Sequence, residues 1–425
     1  MAEESILTDD LLRQLISVGE VDLLVGIPSH NNAATIESTV QAVEANFQCQ
    51  FPRERVVIVN VDGGSQDGTC EAFLNAALHK HSNSRGLFSL RTEHRIVTHN
   101  DTPSPVKAFK TLAAAADLLR AKACAVVSPA TSNLTSEWIG RLLEPVYRKN
   151  FDFVAPLYAR QRYDGLLARI LLYPMVRAIF GRRIREIHST EFGFSGRLAA
   201  ACLNQDVWHE AAVQDAPETW MAVTAMADYK CCQSFLGPKL RSPAPSGPDI
   251  VTAVRQTVGT LFWCLETSQR NWMDRTGSEA VPTFGPDHEI TEEGASVNLE
   301  RIFNLFRSGV VELSPLLKAI LAPDTNAEIQ RIAALDERNL CFDNALWARA
   351  LYDFAASYHH TVLNRDHLVQ ALVPLYRGKI YSYLLQHQNS SPGEIEVDSE
   401  NLCLEFERQK PYLLERWKER VEVKP

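Results

Sequence analysis

The sequence predicts an α/β fold with a doubly wound, mostly parallel sheet, followed by a C-terminal domain built of helices. Short runs rich in Val and Ile alternate with helix-like segments between residues 21 and 157, which is typical of βαβ units. Strand-like patterns almost disappear after a proline-rich stretch at residues 243–248. The predicted division is therefore an N-terminal helix at residues 1–19, an α/β domain at 20–242, a linker at 243–250 and a helical domain at 251–425.

The apolar runs at residues 21–28 and 55–64 are the strongest strand candidates, because fully buried parallel strands have almost continuous apolar sequence. The other predicted strands cover residues 87–97, 123–127 and 153–157, and the predicted helices cover 31–47, 67–79, 104–119 and 136–147. Ligands of doubly wound sheets bind beyond the carboxyl ends of the strands. We therefore expect the chemistry in the loops that follow Ile27, Val61 and Val127.

The C-terminal half carries helical patterns, which we place at residues 252–267, 298–306, 344–359 and 365–388. An apolar stretch at residues 166–180 is interrupted by Arg169 and Arg177 and broken by Pro174. It is too short and too charged for a membrane span, so we interpret it as a kinked core helix, with a membrane-surface helix as the alternative.

The composition limits the function classes. The formal net charge of the 425 residues is −9, which argues against broad, sequence-independent binding of nucleic acid. Nine cysteines without metal-ligand spacing are typical of a reduced set, and no signal-peptide or transmembrane pattern is visible. We expect a cytoplasmic protein.

Polar clusters follow the first two predicted strands. The first contains Pro28, Ser29, His30 and Asn32, and the exposed N–H groups of such a loop suit phosphate or base oxygens. An ordinary polar loop is the alternative.

The second cluster is Asp62, Gly63 and Gly64. The carboxylate can accept hydrogen bonds from a base or a ribose, and the glycines allow a ligand to approach the backbone closely. Pure turn chemistry would use the same residue types.

These clusters carry a resemblance. The segments IPSHNNAATIESTVQAV and VNVDGGSQDGT resemble the opening of family-2-type GT-A glycosyltransferases, and later blocks, including YPMVRAIFGRRIRE and EFGFSG, resemble the glucosylglycerate and mannosylglycerate synthase-like group. The resemblance covers nearly the whole chain. It implies a GT-A fold and a retaining transfer of a sugar from a nucleotide donor to a small hydroxy acid such as glycerate or phosphoglycerate, with Mg²⁺ or Mn²⁺ as cofactor.

Three donor-side motifs of that group are altered in this chain. Where the group has an Asp-x-Asp pair that holds the metal, this sequence has Ser128, Pro129 and Ala130. A metal-ligating His near the end of the catalytic domain is absent around Lys239 and Arg241, and a Gly-Lys-Gly block appears as Pro-Val-Lys, ending at Lys107. No metal ligand is therefore assigned.

Two interpretations follow from these changes. Either Lys107, Lys239 and Arg241 neutralise the leaving diphosphate in place of a metal, or the chain has kept the fold and lost the reaction. In the first case the protein is a glycosyltransferase. In the second it is a catalytically degenerate relative that binds a nucleotide-sugar or a partner protein.

The resemblance also assigns site residues. Glu191 and Glu218 match acidic positions near the reacting sugar, with a structural acid as the alternative for each, and Arg160 and Tyr163 are candidates for the acceptor site. A further alternative is an inverting transferase with Glu218 as base. Lone histidines such as His188 are expected to be structural, and the helical domain is expected to cover the acceptor side or to form a homodimer interface.

Overall fold

The computed structural model describes residues 7–78, 95–100, 104–240, 249–286, 298–360 and 364–419. The strands are β1 (Leu23–Ser29), β2 (Val56–Asp62), β3 (Arg95–Asn100), β4 (Ala123–Val126), β5 (Phe153–Tyr158), β6 (Arg182–Arg183), β7 (Phe192–Ser195), β8 (Cys231–Gly237), β9 (Glu279–Ala280) and β10 (Thr283–Phe284). The helices are α1 (Asp9–Val18), α2 (Ile36–Gln50), α3 (Thr69–Leu78), α4 (Pro105–Leu118), α5 (Ser136–Lys149), α6 (Tyr173–Phe180), α7 (Gly196–Leu203), α8 (Ala211–Asp215), α9 (Pro217–Asp228), α10 (Ile250–Thr267), α11 (Leu299–Glu312), α12 (Ser314–Ile320), α13 (Pro323–Ala333), α14 (Asn344–His360), α15 (Arg365–Gln370), α16 (Leu372–Gln386) and α17 (Pro392–Lys418).

The chain forms two compact units, and their boundary differs from the predicted contiguous division. The first unit contains residues 1–159, 188–245 and 281–288, and the second contains 160–187, 246–280 and 289–425. Residues 160–187, which were predicted in the α/β domain, therefore belong to the second unit. The predicted linker at 243–250 lies mostly outside the described residues.

An eight-stranded sheet with the order β10-β8-β5-β7-β4-β1-β2-β3 forms the centre of the first unit. Its strands pair in parallel except β7, which is antiparallel to both β4 and β5. Helices α2, α3 and α5 enclose a core on one face of the sheet, whereas α4 packs with α7 and with β1 and β2 on the other. The predicted α/β fold with a doubly wound, mostly parallel sheet and helices in the C-terminal half is confirmed.

The buried strands were located well because their apolar runs are almost uninterrupted; every residue of β2 is buried. The helix predicted at residues 31–47 is α2, which begins at Ile36 with Thr35 at its N-cap. Asn31 has a left-handed backbone with φ of 53°, which a helix cannot contain. Of the strand predicted at residues 87–97, the part up to residue 94 lies outside the described residues.

The second unit is helical, with a two-stranded ladder between β6 and β9. The stretch predicted as a kinked core helix is a π-helical turn (Ala168–Leu172) followed by α6, and residues 170–180 are buried. The segment predicted as one helix at 365–388 is divided into α15 and α16. In the part of the chain that the structure describes, no helix combines the length and apolarity needed to cross a bilayer.

A substitution of Gly193 in β7 tests how closely the sheet packs against α5. A Cβ atom at this position would lie 2.3 Å from the carbonyl oxygen of Leu142, so we expect Gly193→Ala to lower the free energy of unfolding by about 1–3 kcal/mol. Gly259 in α10 is the matched control, because a Cβ there meets no atom within 4 Å. Urea denaturation should show that Gly259→Ala is neutral or stabilising; equal destabilisation by both variants would contradict this packing.

Candidate functional site

The strand order changes direction at β1, which makes the carboxyl ends of β1 and β4 the expected ligand-binding position. From β1 the chain continues outward through β2 and β3, and then returns to place β4 on the other side of β1. The loops that follow β1 and β4 leave the sheet in opposite directions at such a switch point, and the crevice between them can admit a ligand. We expect a donor to bind between the loops 30–35, 63–68 and 127–135, and we call this region the donor crevice.

Hydrogen bonds join the loop after β1 to the loop after β2. The hydroxyl of Ser29 donates to Asp62 Oδ1 at 2.9 Å, and the N–H of Gly63 donates to the Ser29 carbonyl at 2.7 Å. Ser65 donates twice to the same carboxylate, from its N–H at 2.7 Å and from its hydroxyl at 2.6 Å. The buried carboxylate of Asp62 therefore joins the two loops through these hydrogen bonds.

Further contacts hold the outer parts of these two loops together. The N–H of Asn31 donates to Ser65 Oγ at 2.8 Å, and Asn31 Oδ1 accepts from the N–H of Gln66 at 3.1 Å. The N–H of Asn32 donates to Thr69 Oγ1 at 2.8 Å. The segments at Ser29 and Asp62 are therefore neighbours that form one rigid polar rim.

The environment of Asp62 favours its ionised form. Burial by itself would raise the pKa of this carboxyl group, but hydrogen bonds from Ser65 and Ser29 lower it below the ordinary value. Asp62 is 1% exposed, so its buried carboxylate stabilises the rim and is not part of its exposed surface. His30, Asn31 and Gly64 are among the exposed residues of the rim, and the predicted contact of Asp62 with a donor stays a prediction.

The loop after β4 holds Ser128 and Ala130 in a tight turn. The Ser128 hydroxyl accepts from the N–H of Ala130 at 3.2 Å, and the Ser128 carbonyl accepts from the N–H of Thr131 at 3.1 Å. Thr131 is buried, and its hydroxyl donates to Glu191 Oε1 at 2.6 Å. The turn is thereby tied to the predicted catalytic glutamate.

Glu191 is fully buried, and both of its oxygens accept hydrogen bonds. Oε1 accepts from Thr131 and from Thr190 at 3.0 Å. Oε2 accepts from Tyr158 at 2.6 Å and is in ion-pair contact with the Lys239 ammonium group. Burial alone would raise the pKa of Glu191, but the charge of Lys239 and these hydrogen bonds lower it, so the group is a carboxylate.

Lys239 is held on several sides. Its side chain is only 6% exposed, its Nζ donates to Thr190 Oγ1 at 3.0 Å, and Nζ lies 5.0 Å from the ring centre of Tyr158. The flanking backbone is fastened to the loop after β4: Asn133 bonds to the carbonyl of Pro238 at 2.6 Å and accepts from the N–H of Leu240 at 2.9 Å. These contacts therefore hold the Lys239 ammonium group in one position beside Glu191.

The donor set around Glu191 does not fit a divalent metal. Mg²⁺ and Mn²⁺ prefer several oxygen ligands, carboxylates above all. Ser128 and Ala130 supply no carboxylate, and Glu191, the carboxylate that contacts this turn among the described residues, is paired with Lys239. Within the described ranges, no three His, Cys, Asp or Glu side chains are grouped so that they could hold a metal ion.

Glu218 has a partner that the sequence did not reveal. His188 Nδ1 lies 2.7 Å from Glu218 Oε1 and 3.1 Å from Thr219 Oγ1, and the His188 side chain is 41% exposed. The two residues are separated by 30 positions, so no local pattern announces the pair. Because Nδ1 is engaged, the other ring nitrogen is oriented away from Glu218, as in a carboxylate-positioned imidazole.

The remaining predicted residues lie in three places. Pro28 is half-buried in β1, and Lys107 is exposed in the first turn of α4. Arg160 and Tyr163 belong to the second unit, where Arg160 forms two hydrogen bonds of 2.8 Å to Glu186 and one of 3.1 Å to Asp164. Their contact with an acceptor stays a prediction, and Arg241 lies outside the described residues.

No protein-family model matches the chain, and no curated protein matches it. Among solved structures, glucosyl-3-phosphoglycerate synthase from Mycobacterium tuberculosis with Mn²⁺, UDP and glucosyl-3-phosphoglycerate is 16% identical, with coverage of 62% of this chain and 85% of its own and a TM-score of 0.42. The same enzyme with Mn²⁺, UDP-glucose and glycerol 3-phosphate is 17% identical, with coverage of 62% of this chain and 86% of its own and a TM-score of 0.41. Its structure with Mg²⁺ and UDP is 14% identical, with coverage of 62% of this chain and 84% of its own and a TM-score of 0.41. Similarity at this level assigns no substrate or role to any residue of this chain.

Proposed function

We propose that this protein is a glycosyltransferase that moves a sugar from a nucleotide-sugar to a small hydroxy acid such as glycerate or phosphoglycerate. The observation that carries the proposal is the polar rim at the switch point of the sheet, where the loops after β1 and β2 are fastened by Asp62. A rigid rim with exposed backbone and small side chains suits a base, a ribose and a diphosphate. Lys107 adds an exposed cation at the start of α4.

The engagement of Glu191 limits the chemistry. Both of its oxygens are occupied, so a covalent intermediate on this carboxylate would first require its pairing with Lys239 to break. We expect instead that the acceptor hydroxyl attacks from the face that the diphosphate leaves. The new C–O bond forms as the bond to the phosphate oxygen breaks, the proton passes to that departing oxygen, and the configuration of the sugar is retained.

His188 and Glu218 supply the polar pair that could orient the acceptor hydroxyl. β7 runs antiparallel to β4, with Phe192 opposite Val126, so the residues just before β7 lie at the same sheet edge as the end of β4. A neutral imidazole positioned by a carboxylate can accept a hydrogen bond from a hydroxyl group. In the inverting alternative, the same pair would remove the acceptor proton.

The test is a turnover assay. The pure protein is incubated with UDP-, GDP- and ADP-linked glucose or mannose and with glycerate or 3-phosphoglycerate, with EDTA or with Mg²⁺. We expect release of nucleoside diphosphate with at least one pair, and NMR of the product should give the anomeric configuration of the donor. Absence of release with every pair would refute the transferase proposal, and an inverted product would refute the retaining course.

A second candidate is a protein that binds a nucleotide-sugar without turnover. The observation that favours it is the lack of carboxylates at residues 128–130 together with the sealed environment of Glu191. Calorimetry separates the two candidates, because binding of a nucleoside diphosphate without product in the turnover assay supports the second. Product formation eliminates it.

A further inference from the structure

We infer that the Lys239 ammonium group occupies the cation position beside the donor crevice, excludes a divalent metal from Glu191, and leaves a nucleotide site that needs no metal. The nucleotide part of this inference rests on the proposed function. The metal part stands on the residues themselves and can be tested alone.

Topology places the ion pair beside the crevice. Glu191 directly precedes β7, whose first residue pairs with Val126 at the end of β4. Thr131, in the loop after β4, contacts the same carboxylate at 2.6 Å. Lys239 reaches this point from the segment that follows β8, and that segment is fastened to Ser132 and Asn133. The pair therefore adjoins the turn formed by residues 128–131.

Charge and coordination chemistry favour the ammonium group over a metal at this position. A divalent ion would have to displace Lys239 and would then find one carboxylate, because the other groups around Glu191 are hydroxyls of Thr131, Thr190, Ser189 and Tyr158. These hydroxyls already direct their hydrogens toward the carboxylate. An ammonium group is satisfied by such a set, since it needs acceptors for only three hydrogens, whereas a hard divalent cation needs about six oxygen ligands.

The test introduces the missing carboxylates with and without the lysine. S128D/A130D places two carboxylates in the turn after β4 while Lys239 is kept, and S128D/A130D/K239M removes the ammonium group. Binding of Mn²⁺ alone is followed by electron paramagnetic resonance of the free ion. We expect the variant without lysine to bind Mn²⁺ at least about tenfold more tightly than the variant with lysine, the equivalent of about 1.4 kcal/mol.

Three results would overturn the inference. The first is equal Mn²⁺ affinity of the two variants, and the second is tight Mn²⁺ binding by the unmodified protein that disappears in Glu191→Gln. The third does not depend on the folding of any variant: calorimetric titration of the unmodified protein with UDP, GDP and ADP should give the same affinity in EDTA and in Mg²⁺, and loss of binding in EDTA would overturn the metal-free site. If no nucleotide binds in either buffer while the two variants differ in Mn²⁺ affinity as expected, the proposed function and the nucleotide part of the inference are both refuted. The exclusion of metal by Lys239 is then still supported.

Discussion

Lys239→Met is expected to lower the free energy of unfolding by about 3–5 kcal/mol, because it leaves a buried carboxylate without its counter-charge. Glu191 is fully buried, and Lys239 is the cation that contacts it among the described residues. The hydroxyl groups of Thr131, Tyr158 and Thr190, which donate hydrogen bonds to the carboxylate, cannot replace a full charge. Urea denaturation at pH 7 measures the effect.

Two controls separate this loss from a general effect of removing charge. The double variant E191Q/K239M removes both charges and should recover much of the lost stability, because replacing a whole buried pair is far less costly than breaking it. Glu20→Gln breaks the surface pair with Arg120, whose side chains are 56% and 78% exposed, and should change stability little. A loss of similar size in all three variants would contradict the described environment of Glu191.

The same pair has a definite pH dependence. The pKa of Glu191 in the folded protein lies below its ordinary value of 4.5, so its contribution to stability is present above the unfolded-state pKa and is lost as the pH falls through the folded-state value. Lys239→Met removes the main cause of that lowering. The stability difference between the unmodified protein and the variant should therefore narrow as the pH falls below about 4.5, and a gap that widens on acidification would contradict the ion pair.

Asp62→Ala is expected to weaken nucleoside diphosphate binding by at least about tenfold, or about 1.4 kcal/mol, and to destabilise the protein. The variant leaves the buried hydroxyl of Ser29 and two donors of Ser65 without their common acceptor, and each buried donor left unpaired costs about 1–3 kcal/mol. Without the Asp62 carboxylate, the loops after β1 and β2 can separate, and the rim that should hold the ligand is lost. Calorimetric titration measures the affinity.

The matched control is Asp22→Ala at the opposite edge of the sheet. Asp22 immediately precedes β1, pairs with Lys122 at 2.8 Å and accepts from the N–H of Arg55 at 2.9 Å. Because it lies at the amino end of the strand, it should affect stability but not nucleotide affinity. Equal losses of affinity in the two variants would show that Asp62 acts only through global stability.

The sequence allowed the sheet to be predicted because local pattern determines where its central strands lie. The apolar runs that became β1, β2, β4 and β5 are buried throughout or nearly so, and the loops at their carboxyl ends were the predicted position of the site. Residues 31–35 are not helical because the side chains of Ser65, in the loop after β2, and of Thr69, at the start of α3, hold the backbone of Asn31 and Asn32 in another conformation.

The partners of the predicted catalytic residues could not be read from the sequence. Glu191 and Lys239 are 48 positions apart, and neither local spacing nor composition indicates that they meet. The place of residues 160–187 in the second unit could not be read from the sequence either, because it depends on contacts with distant parts of the chain. Arg177 is fully buried between Glu400 and Glu407, contacts that depend on tertiary packing across more than half of the chain.

A crystal structure of the protein with a nucleoside diphosphate, grown in EDTA, would show where the nucleotide binds and whether it needs a metal. We expect the diphosphate to lie in the donor crevice, between the loops that follow β1, β2 and β4, while Lys239 remains paired with Glu191. A nucleotide bound elsewhere on the chain, or a metal ion held by Glu191 in a companion crystal grown with Mn²⁺, would contradict it.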